Sequence, residues 1–336
     1  MSLRTLQGKL LAALLLGLAV AIVMGLASDA RAVWRDLGAF RWAWLPFILG
    51  LTALNYLLRW LKWEYYLRRL GLGHGVSRLD SGLIFTAGLV MSVTPGKLGE
   101  VFKSVLLKRV NGAAVSRSAP VVLAERLTDG LAMLLLMAMG LMLYPPARFA
   151  FVALVVAALA GILALQHRRL VGGVIEGTGR LPFGAKVAPR LRATYASTRE
   201  LLEWRVLLTA TLISVVSWGC ECLAFYFVLV GVGVAGTPLL LLQATFIFAA
   251  STLFGLVSFL PGGLGVSEAS SAGLLMAIVG LAASTAATAT IIIRFCTLWF
   301  GVLLGVIALA WFGRRYRMDE QAEAAREPVE EAGVKI

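Results

Sequence analysis

The chain has few of the residues that metal and thiol chemistry need. Two histidines and three cysteines are spread over 336 residues. His74 and His167 sit at loop edges without ligand spacing. Cys220 and Cys222 stand two apart, so on a helix they point to different faces and cannot easily share an ion. With Cys296 they fall in apolar runs and read as reduced packing residues. No metal and no cofactor is expected. There is no Walker motif, glycine-rich dinucleotide turn or serine elbow. No polar stretch is long enough for a separate soluble catalytic domain, so the reading is of a protein that is not an enzyme. Acidic residues are also scarce, 18 against 31 lysines and arginines, which leaves a formal net charge of +13. In a soluble protein that excess would suggest nucleic acid. Here it lies in loops, where the positive-inside rule and contact with anionic lipid at the cytoplasmic face account for it, and nucleic acid is not a partner.

Apolar residues are abundant: 60% of the chain is hydrophobic, with a mean hydropathy of +0.86. Several segments run long enough to cross a bilayer with few charges, so the fold class is an all-α polytopic membrane protein. The pattern gives six spans, at about 9–27, 42–62, 119–144, 149–165, 204–230 and 286–312. The first resembles a signal peptide, but its apolar run is long and lacks a small-x-small cleavage site, so it reads as a retained span with its basic end in the cytoplasm. Trp42, Trp44, Trp60 and Trp63 read as interfacial belts of the second span. Lys62, Arg68, Arg69 and Arg78 collect on its cytoplasmic side, and Arg59 is expected to snorkel there. The basic loop 166–203 is cytoplasmic, with a surface helix over 188–203 lying on lipid heads. One transmembrane domain covers 1–316, and the charged, alanine-rich tail 317–336 is expected to be disordered.

Two stretches fit no full span. Residues 79–94 reach roughly 24 Å, short of a hydrocarbon core of about 30 Å, and then meet Pro95 and Gly96. The chain returns past Gly99 to Lys108 and Arg109, so the simplest reading is a re-entrant hairpin entered from the cytoplasm. Residues 239–260 dip in from the other side, turn at Pro261, Gly262 and Gly263, and return from Gly265 to 278. Each half of the chain, about 42–144 and 204–312, thus reads span, hairpin, span, from opposite faces. From Pro95 to Arg126 is 31 residues and from Pro261 to Arg294 is 33, an inverted repeat of the kind that supports alternating access around a midplane site.

Nine ionisable residues fall within the membrane on this reading: Lys97, Lys103, Arg126 and Arg294, with Glu100, Glu125, Asp129, Glu221 and Glu268. Each costs roughly 2.5 to 3.5 kcal/mol at a helix centre. They must therefore pair or face water, and their clustering at two helix breaks favours a polar cavity over packed ion pairs alone. Lys97, Glu100 and Lys103 stack at i,i+3, as do Arg126 and Asp129; Glu221 has no evident local partner. The helices that begin after the breaks point their N-termini inward, where an anion binds well. Lys97, Arg126 and Arg294 would complete a phosphate site. Ser267 reads either as a ligand or as the cap of its own helix, with Glu268 favouring the same dipole.

Three motifs carry a resemblance. Thr94-Pro95-Gly96-Lys97-Leu98-Gly99-Glu100, Glu125-Arg126-Leu127-Thr128-Asp129 and Leu260-Pro261-Gly262-Gly263-Leu264-Gly265-Val266-Ser267-Glu268 together resemble the transmembrane domain of lysylphosphatidylglycerol synthase/flippase proteins. The resemblance covers about 10–312. It implies flipping of lipids with large polar heads: anionic or lysyl-modified phospholipids, polyprenyl-phosphate sugars or hopanoids. It also implies a bacterial cytoplasmic (inner) membrane, with both termini cytoplasmic. The chain stops soon after the last span, so a synthase activity is not carried over. The alternatives are a membrane-embedded lipid-modifying transferase, a small-anion secondary transporter, and a scaffold for a lipid-modifying enzyme docked on loop 166–203. A second copy of the chain is a further partner the reading admits.

Overall fold

The backbone of residues 19, 29–94, 99–179 and 184–333 is described by a computed structural model, and among these residues every regular element is helical. Apart from Ala19, the expected first span lies outside the described residues, as do Pro95, Gly96 and Lys97. The α-helices are α1 (Ala30–Ala39), α2 (Leu45–Arg69), α3 (Arg78–Gly88), α4 (Phe102–Asn111), α5 (Val115–Gly140), α6 (Ala147–Gln166), α7 (Arg168–Gly179), α8 (Gly184–Leu201), α9 (Trp204–Gly231), α10 (Pro238–Val257), α11 (Val266–Leu274), α12 (Ala283–Arg294) and α13 (Phe300–Gly333).

Seven stretches are long and apolar enough to cross a membrane: Trp42–Arg69, Val115–Leu143, Ala147–Gln166, Trp204–Gly231, Pro238–Val257, Pro261–Val279 and Ala283–Tyr316. Five match the expected second to sixth spans. The other two are the arms of the second hairpin, and at 20 and 19 residues their length does not hold them at half depth. The arms of the first hairpin, α3 and α4, are only 11 and 10 residues long.

The centre of the molecule is the packing of α2 on α9. Thr52, Asn55, Arg59, Lys62 and Tyr66 recur three and four apart, so they share one face of α2, and all are buried. Ser214, Ser217 and Glu221 make the matching stripe on α9. Polar stripes on two long apolar helices are best hidden against each other, because lipid satisfies none of their hydrogen bonds. Asn55 Nδ2 donates to both the carbonyl and the hydroxyl of Ser217, at 2.9 Å each.

This face corrects three expectations. Lys62 is 1% exposed rather than cytoplasmic, Trp63 is fully buried rather than interfacial, and Arg59 is buried rather than snorkelling. The physical reason is the same for all three: the cations find partners or cover inside the bundle, which costs less than reaching across the helix surface to water. α13 runs on to Gly333, through 317–333, a stretch rich in the helix-favouring alanine, glutamate and arginine.

The two hairpins flank the last apolar helix, whose halves α12 and α13 are joined by a π-helical segment, Phe295–Trp299. α11 packs on α12, while α3 and its 3₁₀ extension Leu89–Val93 pack on α13. The second hairpin turns at Pro261–Gly263, where Gly262 and Gly263 have φ of 61° and 67°, a left-handed conformation that glycine alone adopts freely. The two tips, Leu89–Val93 and Pro261–Gly263, touch.

Gly305 makes the docking of the first hairpin close. A Cβ there would lie 2.7 Å from the Val90 amide nitrogen and 3.0 Å from the Thr86 carbonyl oxygen. Gly305→Ala should therefore lower stability by about 1 to 3 kcal/mol through overpacking against backbone. Gly273→Ala, where a Cβ meets open space, should not. Thermal unfolding of the two variants in detergent measures the difference, and equal midpoints would contradict this packing.

Candidate functional site

The intramembrane charges fall into two groups that share α2 and α9. Among the described residues the first is a buried network of six charges. Lys62 Nζ lies 2.5 Å from Asp129 Oδ1 and also donates to Ser214 at 2.6 Å. The Ser214 hydroxyl donates in turn to Asp129 at 2.9 Å. Arg126 bridges Asp129 at 3.3 Å and Glu100 at 3.0 Å. Lys103 reaches Glu125 at 2.5 Å and Glu100 at 4.0 Å. Among the described residues three cations face three anions. Lys103 is further covered by the rings of Trp63, at 4.8 Å, and Phe85, at 5.3 Å. This is the burial that Trp63 serves.

The expected i,i+3 contacts of Lys103 with Glu100 and Arg126 with Asp129 are present. The shorter partner of Lys103, however, is Glu125 on another helix. Lys62 was outside the expected site altogether. A signal for it exists in the sequence: Thr52, Asn55, Arg59 and Lys62 follow a 3-4-3 spacing, which is a polar helix face and not a set of independent residues.

The second group lines a cavity between the hairpins, with about 90 Å³ open to water-sized groups. At on the order of 10 to 15 Å³ per water in that measure, it holds several waters or a small polar group. Leu89 and Ser92 come from the first hairpin; Ser251, Ser267 and Ser271 come from the second; Asn55, Tyr56 and Arg59 come from α2; Trp218 and Glu221 come from α9; Thr290 and Arg294 come from α12. Of the expected site residues, Glu221, Ser267 and Arg294 reach this cavity. Glu100, Lys103, Glu125, Arg126 and Asp129 are in the sealed network.

Each wall has a local cause. The Arg294 guanidinium is held by Glu268 and by the Gly262 carbonyl at 2.8 Å, which ties α12 to the turn of the second hairpin. Glu268 in turn accepts from the Gly265 amide at 2.7 Å, so it caps the N-terminus of α11. The cap of α11 is thus made by Glu268 at Gly265, and Ser267 lines the cavity beside Gly255 and Gly263. Glu221 accepts from the Thr52 hydroxyl at 3.3 Å, a partner 169 residues away that no local spacing could supply. Arg59 lies over the Trp218 ring at 5.4 Å. The three cysteines are free, and no group of metal-ligating side chains occurs among the described residues.

Long apolar helices, a polar seam between the two central ones and charges buried inside the bundle define a multi-pass helical membrane protein with a hydrophilic interior. Its family is equally plain. The chain belongs to the family of the lysylphosphatidylglycerol synthase transmembrane region, whose model matches residues 11–305. It is similar to a UPF0104 membrane protein of Methanothermobacter thermautotrophicus, 27% identical over 320 residues, covering 88% of this chain and 90% of the relative. It is also similar to a UPF0104 membrane protein of Pyrococcus horikoshii, 24% identical over 283 residues, covering 76% and 83%.

Proposed function

We propose that this protein carries a lipid with a polar, phosphate-bearing head group from one leaflet to the other, without group-transfer chemistry of its own. The head group occupies the cavity and the tails stay in the bilayer. The observation that carries the reading is the cavity itself: it is walled by both hairpins and by charged side chains, inside a family named for a lipid-modifying protein's membrane region. A wet, charged pocket halfway through apolar helices is costly unless a substrate uses it.

Two further features support the reading. The hairpin turn at Pro261–Gly263 is bonded to Arg294, the twelfth residue of the 34-residue stretch Ala283–Tyr316, which suits a hairpin that re-enters and turns near the midplane. The halves also repeat one device. After each break comes a glutamate, Glu100 or Glu268, and in a following helix an arginine bonded to it, Arg126 or Arg294. Halves built alike and inserted from opposite faces suit alternating access. The basic loop 166–203 and Arg314, Arg315 and Arg317 support a cytoplasmic C-terminus, as Arg4 and Lys9 support a cytoplasmic N-terminus.

The test is translocation of tail-labelled phospholipids in proteoliposomes. The intact protein should speed movement over protein-free vesicles, and Ser251→Phe, which fills the cavity while leaving every charge in place, should abolish that gain. Translocation undiminished in Ser251→Phe would separate the cavity from the pathway. Turnover of the lipid into a new species by the purified chain would replace the transport reading with an enzymatic one.

A further inference from the structure

The cavity is lined by two arginines, Arg59 and Arg294, and one glutamate, Glu221, while Glu268, bonded to Arg294, stands outside the lining. Arg294 and Glu268 are in contact. Arg59 and Glu221 are not: among the described residues neither lies within 4.0 Å of an oppositely charged group. Arg59 is 8% exposed and donates no hydrogen bond to the described residues, although its guanidinium carries five N–H donors. Glu221 is 2% exposed and has the Thr52 hydroxyl as its one hydrogen-bond partner. Arg59 and Glu221 thus face the same small space, a cation with no bonded acceptor among the described residues and a carboxylate with one hydroxyl partner among them. Buried groups of this kind are costly when left unpaired.

We infer that the cavity recognises a zwitterionic head group, a phosphate ester bearing a primary ammonium, with the phosphate on Arg59 and the ammonium on Glu221. This rests on the transport reading and narrows it. The pocket is neutral, so a neutral zwitterion leaves it neutral, whereas a monoanion leaves Glu221 unmatched and a bare amine leaves Arg59 unmatched. The ammonium must also donate. A primary ammonium has three N–H groups to offer Glu221 and the hydroxyls of the lining, and a quaternary one has none.

The experiment compares tail-labelled phosphatidylethanolamine, phosphatidylcholine and phosphatidylglycerol in proteoliposomes of the intact chain. Phosphatidylethanolamine should move at least about tenfold faster than the other two, the scale of one hydrogen bond to a charged group. That order in the unaltered protein needs no variant to fold. Glu221→Gln should erase the preference while phosphatidylglycerol still moves, and Arg59→Gln should slow all three. Equal rates for the three lipids in the intact chain would overturn the inference and leave the transport reading standing. So would a double Arg59→Gln/Glu221→Gln variant that recovers the phosphatidylethanolamine rate, because the two residues would then only balance each other. Movement of none of the three would sink the transport reading instead. Uptake of free O-phosphoethanolamine, with no lipid moved, would keep the recognition and assign it to a soluble solute.

Discussion

Lys103→Met should unfold the protein at a markedly lower temperature, with a loss of about 3 to 5 kcal/mol, the cost of stranding a buried carboxylate. Lys103 is 2% exposed and holds Glu125 at 2.5 Å, with Glu100 at 4.0 Å. Methionine keeps most of the volume beneath Trp63 and Phe85, so the change is chiefly one of charge. The companion variant is decisive. Lys103→Met with Glu125→Met removes a cation and an anion together and leaves Lys62, Arg126, Glu100 and Asp129 in balance. It should recover most of the lost stability, since replacing both members of a buried pair by apolar groups is often neutral. Unfolding followed by a cysteine-reactive dye or by chemical denaturation in detergent reads both variants. A single variant as stable as the parent would mean that the network is wet and not sealed.

Arg294→Ala is the second large effect. The guanidinium joins α12 to the turn of the second hairpin through Glu268 and the Gly262 carbonyl, and it also lines the cavity. Removing it leaves Glu268 as an unmatched buried charge at about 2 to 5 kcal/mol, and it frees the hairpin tip. Lipid translocation should fall by more than about tenfold, the equivalent of only 1.4 kcal/mol. Arg294→Lys should recover part of it. A single ammonium can meet Glu268, but it lacks the planar fork that holds a carboxylate and a carbonyl together. A translocation rate unchanged in Arg294→Ala would rule out this cavity as the route.

The sequence made the hairpin breaks and most of the buried charges legible. Proline with glycine, and Glu100, Arg126, Glu268 and Arg294 within apolar runs, are costly enough in lipid to require an explanation. It was silent on partners. Helical spacing relates Arg126 to Asp129 on one helix, but nothing local points Lys103 at Glu125 or Thr52 at Glu221, because those contacts depend on how separate helices pack. Arg59 and Lys62 were misplaced for a different reason. They lie close to Arg68 and Arg69 at the end of a span, where a long cation can reach water, and only the register with Thr52 and Asn55 shows that they face inward. The division of the charges into a dry set and a wet set was likewise invisible, since it follows from which of two neighbouring faces the hairpins cover.

The short π-helical stretch Phe295–Trp299 lies where the two tips converge on the final helix, with Leu298 beside Gly262. Widened turns of this sort bend more readily than their surroundings and are common at working parts of proteins. One loop rests on the segment before it and the other on the segment after it. On the proposed transport reading, flexing at this joint would tilt both together, and the last helix would serve as an axle that ties opening toward one face of the bilayer to closing toward the other.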